Sequence, residues 1–429
     1  MLRLVSLVAL LLLPHLVAAA DWPQWRGPNR DGVWSETGVV TKFADEKLPA
    51  KWKAPLAAGY SGPTVAAGKV YVTDHIFGTR ETKEAEGVRC FDAATGAKLW
   101  EFEYPVVYGK IGYQAGPRAS VGVVDNRAYA LGATGMLHVF SADKGELLWK
   151  KDLDAEYKIE MPIWGVSASP LMVDDLVVLH ISGQGACVVA LDRKTGEERW
   201  KALDDRGQYS SPILIEQAGK KVVLVWTGDG IAGLGAADGK VLWRIEWRPK
   251  NMPIGCASPV IHDDRVFFTS FYDGSMLIKL GRDTATAEKL WHLVGPSERQ
   301  TEALHSIIST PIFDGKYIYG VDSYGELRCL EAETGKRLWE NLDAVPKARW
   351  STIHFVKNGD RWFLFNERGD LIIAKLSPQG YEEISRTHII DPTRDQLPQR
   401  GGVVWTHPAF ANKCIFIRND KELVCASLE

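Results

Sequence analysis

One short pattern constrains this chain more than anything else in it: a tight glycine-containing turn, followed four residues after the glycine by a tryptophan. It runs Ala93-Ala94-Thr95-Gly96-Ala97-Lys98-Leu99-Trp100 and returns at Gly145 with Trp149, Gly196 with Trp200, Gly239 with Trp243 and Gly335 with Trp339. A copy ending at Trp291 has lost the glycine, and a copy at Gly380 carries Ile384 where tryptophan is expected. From Trp100 onward the copies are 49, 51, 43, 48, 48 and 45 residues apart, the period at which one supersecondary unit is stacked on copies of itself.

Each unit reads as four short strands. In the sixth they are Ser309 to Phe313, Tyr317 to Val321, Leu327 to Leu330 and Leu338 to Leu342, separated by turns at Asp314-Gly315, Tyr324-Gly325 and Glu333-Thr334-Gly335. Alternating β-branched and aromatic residues bounded by turn formers are hairpin strands, and four strands in about 45 residues make one propeller blade. The expected fold is therefore all-β, a single eight-bladed β-propeller of four-stranded antiparallel blades.

Seven full units begin near Tyr60, Arg118, Gly165, Tyr209, Cys256, Ser306 and Trp350. An eighth begins near Trp405 and stops at Glu429 after three strands. The missing strand is expected at the other end, in residues 50–57, because Trp52 lies 48 residues before Trp100. That strand closes the ring and leaves no long open edge. The chain thus divides into a signal peptide at 1–20, an irregular Trp-rich capping segment at 21–49, and the propeller at 50–429. Trp52, Trp100, Trp149, Trp200, Trp243, Trp291 and Trp339 are read as structural wedges between blades, with the turn glycine supplying a positive φ.

Arg3, the apolar run Leu4 to Leu13 and the small residues Ala18-Ala19-Ala20 have the order of a secretory signal, with an apolar run short for a membrane span. An exported, periplasmic or extracellular chain follows, with no transmembrane segment in its mature part and acting as a monomer. A net charge of -3 without blocks of like charge argues against nucleic acid and against a basic membrane-surface role. Six cysteines in 429 residues are no disulfide scaffold. One pair, Cys414 and Cys425, flanks an Asn419-Asp420 turn and faces across it if that turn holds two residues, which makes it a candidate disulfide.

Propeller sites gather at the channel mouth, on the loops that precede the innermost strands. Those positions carry Tyr60, Arg118, Trp164, Tyr209, Cys256, His305, Arg349, Trp350, Trp405 and His407. Aromatic walls with a few polar groups suit a planar acid, and arginine suits its carboxylate; a plug of side chains filling a wide channel is the plainer alternative. No catalytic residue and no metal set has recognisable spacing, since His305 and His407 stand alone in sequence. Two loops exceed their neighbours, His75 to Val88 and Asp391 to Gly402, and are candidate partner-binding elements.

The motif A-x-D-x-x-T-G-x-x-x-W resembles the tryptophan-docking repeat of quinoprotein alcohol dehydrogenases, the PQQ-like propeller repeat, over residues 50–429. The opening Trp22-Pro23-Gln24-Trp25-Arg26-Gly27-Pro28 is similar to exported PQQ-like proteins of planctomycete-type bacteria. The resemblance implies one of two roles. A dehydrogenase holds pyrroloquinoline quinone beside Ca²⁺ and a pair of adjacent cysteines; this sequence has no adjacent cysteines and no c-type haem motif. A BamB-type propeller, the eight-bladed subunit of the outer-membrane β-barrel assembly machine, binds proteins without chemistry; that subunit is a lipoprotein, and the first cysteine here is Cys90. The expectation is a non-catalytic binding or scaffolding module for an envelope protein or peptide, with no cofactor. The alternatives are a quinoprotein-like oxidoreductase or a small-ligand binder at the mouth, and, third, a carbohydrate binder.

Overall fold

A computed structural model describes residues 20–429, and the expected signal peptide lies outside them except for Ala20. The chain forms eight four-stranded antiparallel sheets. Seven are consecutive, at residues 64–105, 122–152, 171–202, 213–246, 260–293, 312–341 and 353–388. The eighth joins residues 409–427 to Ala50–Pro55, which pairs Trp52 with Cys425 and Ala54 with Leu423. The N-terminal strand therefore closes the ring as the repeat spacing requires. Among the described residues the only helical segments are Leu153–Tyr157 and the short turn Pro398–Arg400, and no helix is long and apolar enough to cross a membrane.

The long apolar strands follow from this stacking. Leu176–Gly183 is buried at every position. Val177 and Leu179 pack with Leu137 and Val139 of the preceding blade, while Val178 packs with Val223 and Val225 of the next. A sheet covered on both faces needs no polar alternation. The fourth strands lie outermost and do alternate, as in Lys98–Pro105.

The repeated turn and its tryptophan act on different blades. Trp52 Nε1 donates to Ala93 O at 3.0 Å, Trp100 to Ala142 O at 3.1 Å, Trp149 to Arg193 O at 3.3 Å and Trp200 to Ala236 O at 3.1 Å. Each indole thus lies on the turn of the following blade. The turn glycine has φ of +73° at Gly96 and +72° at Gly145, and a Cβ there would meet the incoming ring at 2.6 and 2.5 Å. Glycine is required twice, for its backbone and for the ring above it. Trp291 and Trp339 dock in the same way, on Ala332 O and Ser377 O. Trp243 differs: the turn ahead of it is the degenerate copy without glycine, and its indole donates to Gln217 Oε1 at 2.8 Å instead. Gln217 Nε2 passes the bond on to Gly281 O and Thr286 O of the next blade.

The Cys414 to Cys425 facing is corrected by the register. The turn holds four residues, with Arg418 opposite Leu423, so Cys425 pairs with Phe416 and Cys414 with Ser427. Both thiols are free.

Residues 21–36 form no regular element and enter the channel from the end opposite the mouth. Trp22 exchanges two backbone hydrogen bonds with Val65 of blade one, Val123 N donates to Pro23 O, and Trp34 N donates to Lys357 O of blade seven. Arg30 reaches further in, donating to Ser169 O, Pro170 O and Pro212 O. Its guanidinium is buried without a carboxylate, and desolvation pulls its pKa down to about 9. Arg26 and Arg30 both take positive φ, 59° and 58°, the first beside Gly27 and the second two residues before Gly32. Such backbone persists only where surrounding contacts hold it, here the inner ends of the blades.

Candidate functional site

The mouth-side loops and the N-terminal segment enclose a blind pocket on the channel axis, of about 140 Å³. Its frame is a belt of hydroxyls at the start of the third, fourth and sixth blades. Ser120 N donates to Ser169 Oγ, Ser169 N to Ser211 Oγ, Ser258 N to Thr310 Oγ1 and Ile353 N to Ser309 Oγ. Each of these short hydroxyl side chains satisfies a backbone N–H of the neighbouring blade that the sheet ladder leaves unpaired.

Of the residues expected at the mouth, Tyr60, Arg118, Trp164, Tyr209, Cys256, Trp350, Trp405 and His407 line this pocket. His305 and Arg349 do not. The His305 ring turns to Phe271 O and to the Gly295 N–H, and Arg349 is drawn to Glu298 at 2.7 Å while its guanidinium covers the outer face of Trp350 at 4.4 Å. Contributors not visible in the repeat include Tyr113 from the loop after blade one, Ile307 and Ile308 ahead of blade six, His354 inside a strand, and Trp25, which forms the floor. Trp25 Nε1 donates to Ser258 Oγ at 2.9 Å and its ring meets His407 edge-on. The Ser-Pro or His-Pro step before several innermost strands (Ser169, Ser211, His407) was the available signal for the belt.

The walls are held by directed contacts. Tyr209 stacks on Trp164 with ring centroids 4.8 Å apart, and Tyr60 donates to Gln396 O at 2.8 Å. Gln396 belongs to the long 391–402 loop and also accepts from Trp405 N at 2.7 Å, so that loop builds the rim. Trp405 Nε1 donates to the buried Glu367, whose carboxyl burial pushes up although Arg400 pairs with it.

Electrostatically the pocket is simple. Burial raises the phenols of Tyr60 and Tyr209, lifts the Cys256 thiol to about 12, and pulls His354 and His407 down to about 4 and 3. All are neutral at pH 7. No Asp or Glu lines the pocket, so Arg118 is its one charge. Arg118 lies 4.7 Å from the Tyr60 ring centroid and donates to Gly116 O, Gly112 O and Tyr113 O.

These residues do not fit pyrroloquinoline quinone with Ca²⁺. The pocket offers no carboxylate to a cation, its volume is that of a single ring, and one arginine faces three carboxylates. Among the described residues no group of three or more His, Cys, Asp or Glu is placed to hold a metal.

Fold and site together define a PQQ-type eight-bladed propeller with a blind, aromatic, singly cationic channel pocket. Residues 84–341 match the family described as outer membrane protein assembly factor BamB, and the chain belongs to that family. The outer membrane protein assembly factor BamB of Moranella endobia is 22% identical over 229 residues, 51% of this chain and 55% of that protein. The chain spans between 50% and 64% of the length of the curated relatives it matches. BamB from Moraxella catarrhalis superimposes with a TM-score of 0.59 at 16% identity, covering 89% of this chain and 99% of that one. The quinohemoprotein alcohol dehydrogenase of Comamonas testosteroni gives 0.67 at 12% identity, covering 94% and 80%. At these identities the two structures show a shared propeller and nothing of activity.

Proposed function

We propose that this chain is a non-catalytic binding and scaffolding propeller of the cell envelope, exported by residues 1–20 and engaging a protein or peptide partner through its mouth face. The observation that carries this reading is an apolar rim beside the pocket. Phe77, Val107 and Ile163 are 48%, 80% and 51% exposed, and all three sit on mouth-side loops of the first three blades. They are tied to one another: the His75 ring lies 4.7 Å from Phe77 and stacks on Tyr108, and Gly112 N donates to Ile163 O at 2.6 Å. Large apolar side chains grouped on otherwise polar loops mark interaction surfaces. Family membership supports the reading, since the relatives are named as assembly factors.

The test is the triple variant Phe77→Asp, Val107→Asp, Ile163→Asp. The reading expects an unchanged melting temperature, because these side chains bury little, and loss of the complexes that the unaltered chain forms in envelope extract. Retention of the same complexes by the triple variant would remove the mouth face from consideration.

A further inference from the structure

We infer that the blind channel pocket is a binding site for a single aromatic ring bearing one carboxylate, a ligand of the benzoate class. This goes beyond partner binding at the rim and does not depend on it.

Size sets the first limit. A cavity of about 140 Å³ matches the roughly 150 Å³ at which an engineered protein cavity accepts benzene, and falls below the 300 to 1,000 Å³ of pockets for larger ligands. Shape sets the second. Trp25 closes the far end and the stacked pair Trp164 and Tyr209 stands at one side, so a flat ring entering from the mouth meets aromatic surface at its edge and on its face.

Charge sets the third. Arg118 is the only ionised group of the lining and has no carboxylate partner there. A guanidinium carries five N–H donors, and three bonds are made, to Gly116 O, Gly112 O and Tyr113 O. Two N–H groups are left for a ligand. One carboxylate supplies the negative charge and the acceptor atoms these donors lack. A cation is repelled, a neutral ring leaves the donors unmatched, and a polycarboxylate brings charges that neutral His354 and His407 do not answer.

The test is a titration of residues 21–429 with benzoate, benzamide and pyrroloquinoline quinone, read by tryptophan fluorescence and melting temperature. Benzoate is expected to bind saturably, and benzamide, the same shape without the charge, roughly tenfold or more weakly. Pyrroloquinoline quinone is expected not to compete. Arg118→Gln should erase the preference for benzoate over benzamide. Because Arg118 also holds three loop carbonyls, a second variant is needed: Ile308→Trp fills the pocket from its wall without removing a hydrogen bond, and should abolish binding while the chain stays folded. Absence of a saturable benzoate signal through the millimolar range, equal binding of benzamide, competition by the quinone, or undiminished binding to folded Ile308→Trp each overturns the assignment.

Discussion

The indole of Trp25 stands edge-on to the imidazole of His407, ring centroids 4.2 Å apart at an interplanar angle of 88°. The contact joins the segment before the propeller to the first residues of its last blade. It makes Trp25 both a floor and a fastener. Trp25→Ala is expected to cost about 1 to 3 kcal/mol in urea unfolding, from lost aromatic burial and from the Ser258 hydroxyl left without its donor. It should also speed acrylamide quenching of the channel tryptophans, because the pocket then opens at both ends. Unchanged quenching and stability would show that the segment lies on the ring without closing it.

Gln217 stands in for a missing turn. Replacing it with leucine strands the Trp243 N–H and two carbonyls of the next blade, at a cost of about 1 to 3 kcal/mol. The neighbouring Glu216→Ala, at an exposed position, serves as the control and should change stability little.

Two glycines with nearly the same backbone separate strain from packing. Gly145 and Gly219 have φ of +72° and +69°, but a Cβ at Gly145 meets the Trp100 ring while one at Gly219 meets nothing within 4 Å. Gly219→Ala should cost about 1 to 2 kcal/mol, the price of a left-handed L-residue. Gly145→Ala should cost clearly more, since the ring must move; equal losses measured by thermal unfolding would mean that the ring yields freely.

Acid should loosen the fold before the ordinary carboxylates protonate. Burial holds His138, His180 and His354 near 4 and His407 near 3. In the unfolded chain these groups bind protons below about pH 6.5. The unfolded state then carries more protons, so stability falls as pH drops from about 6.5 towards 4. Glu86, Asp273, Glu367 and Asp395, raised by burial, act in the opposite sense, against five histidines once His305, also pulled down by burial, is included. The melting temperature should be level above about pH 7 and decline below it, and His407→Gln should make the decline shallower. A level profile down to pH 4 contradicts this.

The propeller was legible because its signal is repeated: Gly96 with Trp100 means little alone, yet five such pairs at one spacing fix the blade, and Trp52 then dictates how the ring closes. Most of the mouth followed from the blade frame. What escaped was whatever the repeat does not encode. Trp25 is brought in by a segment outside it, and the Arg349 side chain is set by a partner, Glu298, on a different loop. Register across the 419–422 turn depended on two residues of loop length, which composition does not specify.

The central claim, a mouth face that binds protein, is tested most directly by site-specific photo-crosslinking in intact envelopes. The probe would stand at Val107 on the rim and, in a second chain, at Lys316 in a turn on the opposite face. A discrete protein adduct from position 107 that is missing from position 316, and that disappears when Phe77 and Ile163 are changed to aspartate, is the predicted result. No adduct from 107, or the same adduct from both faces, would contradict it.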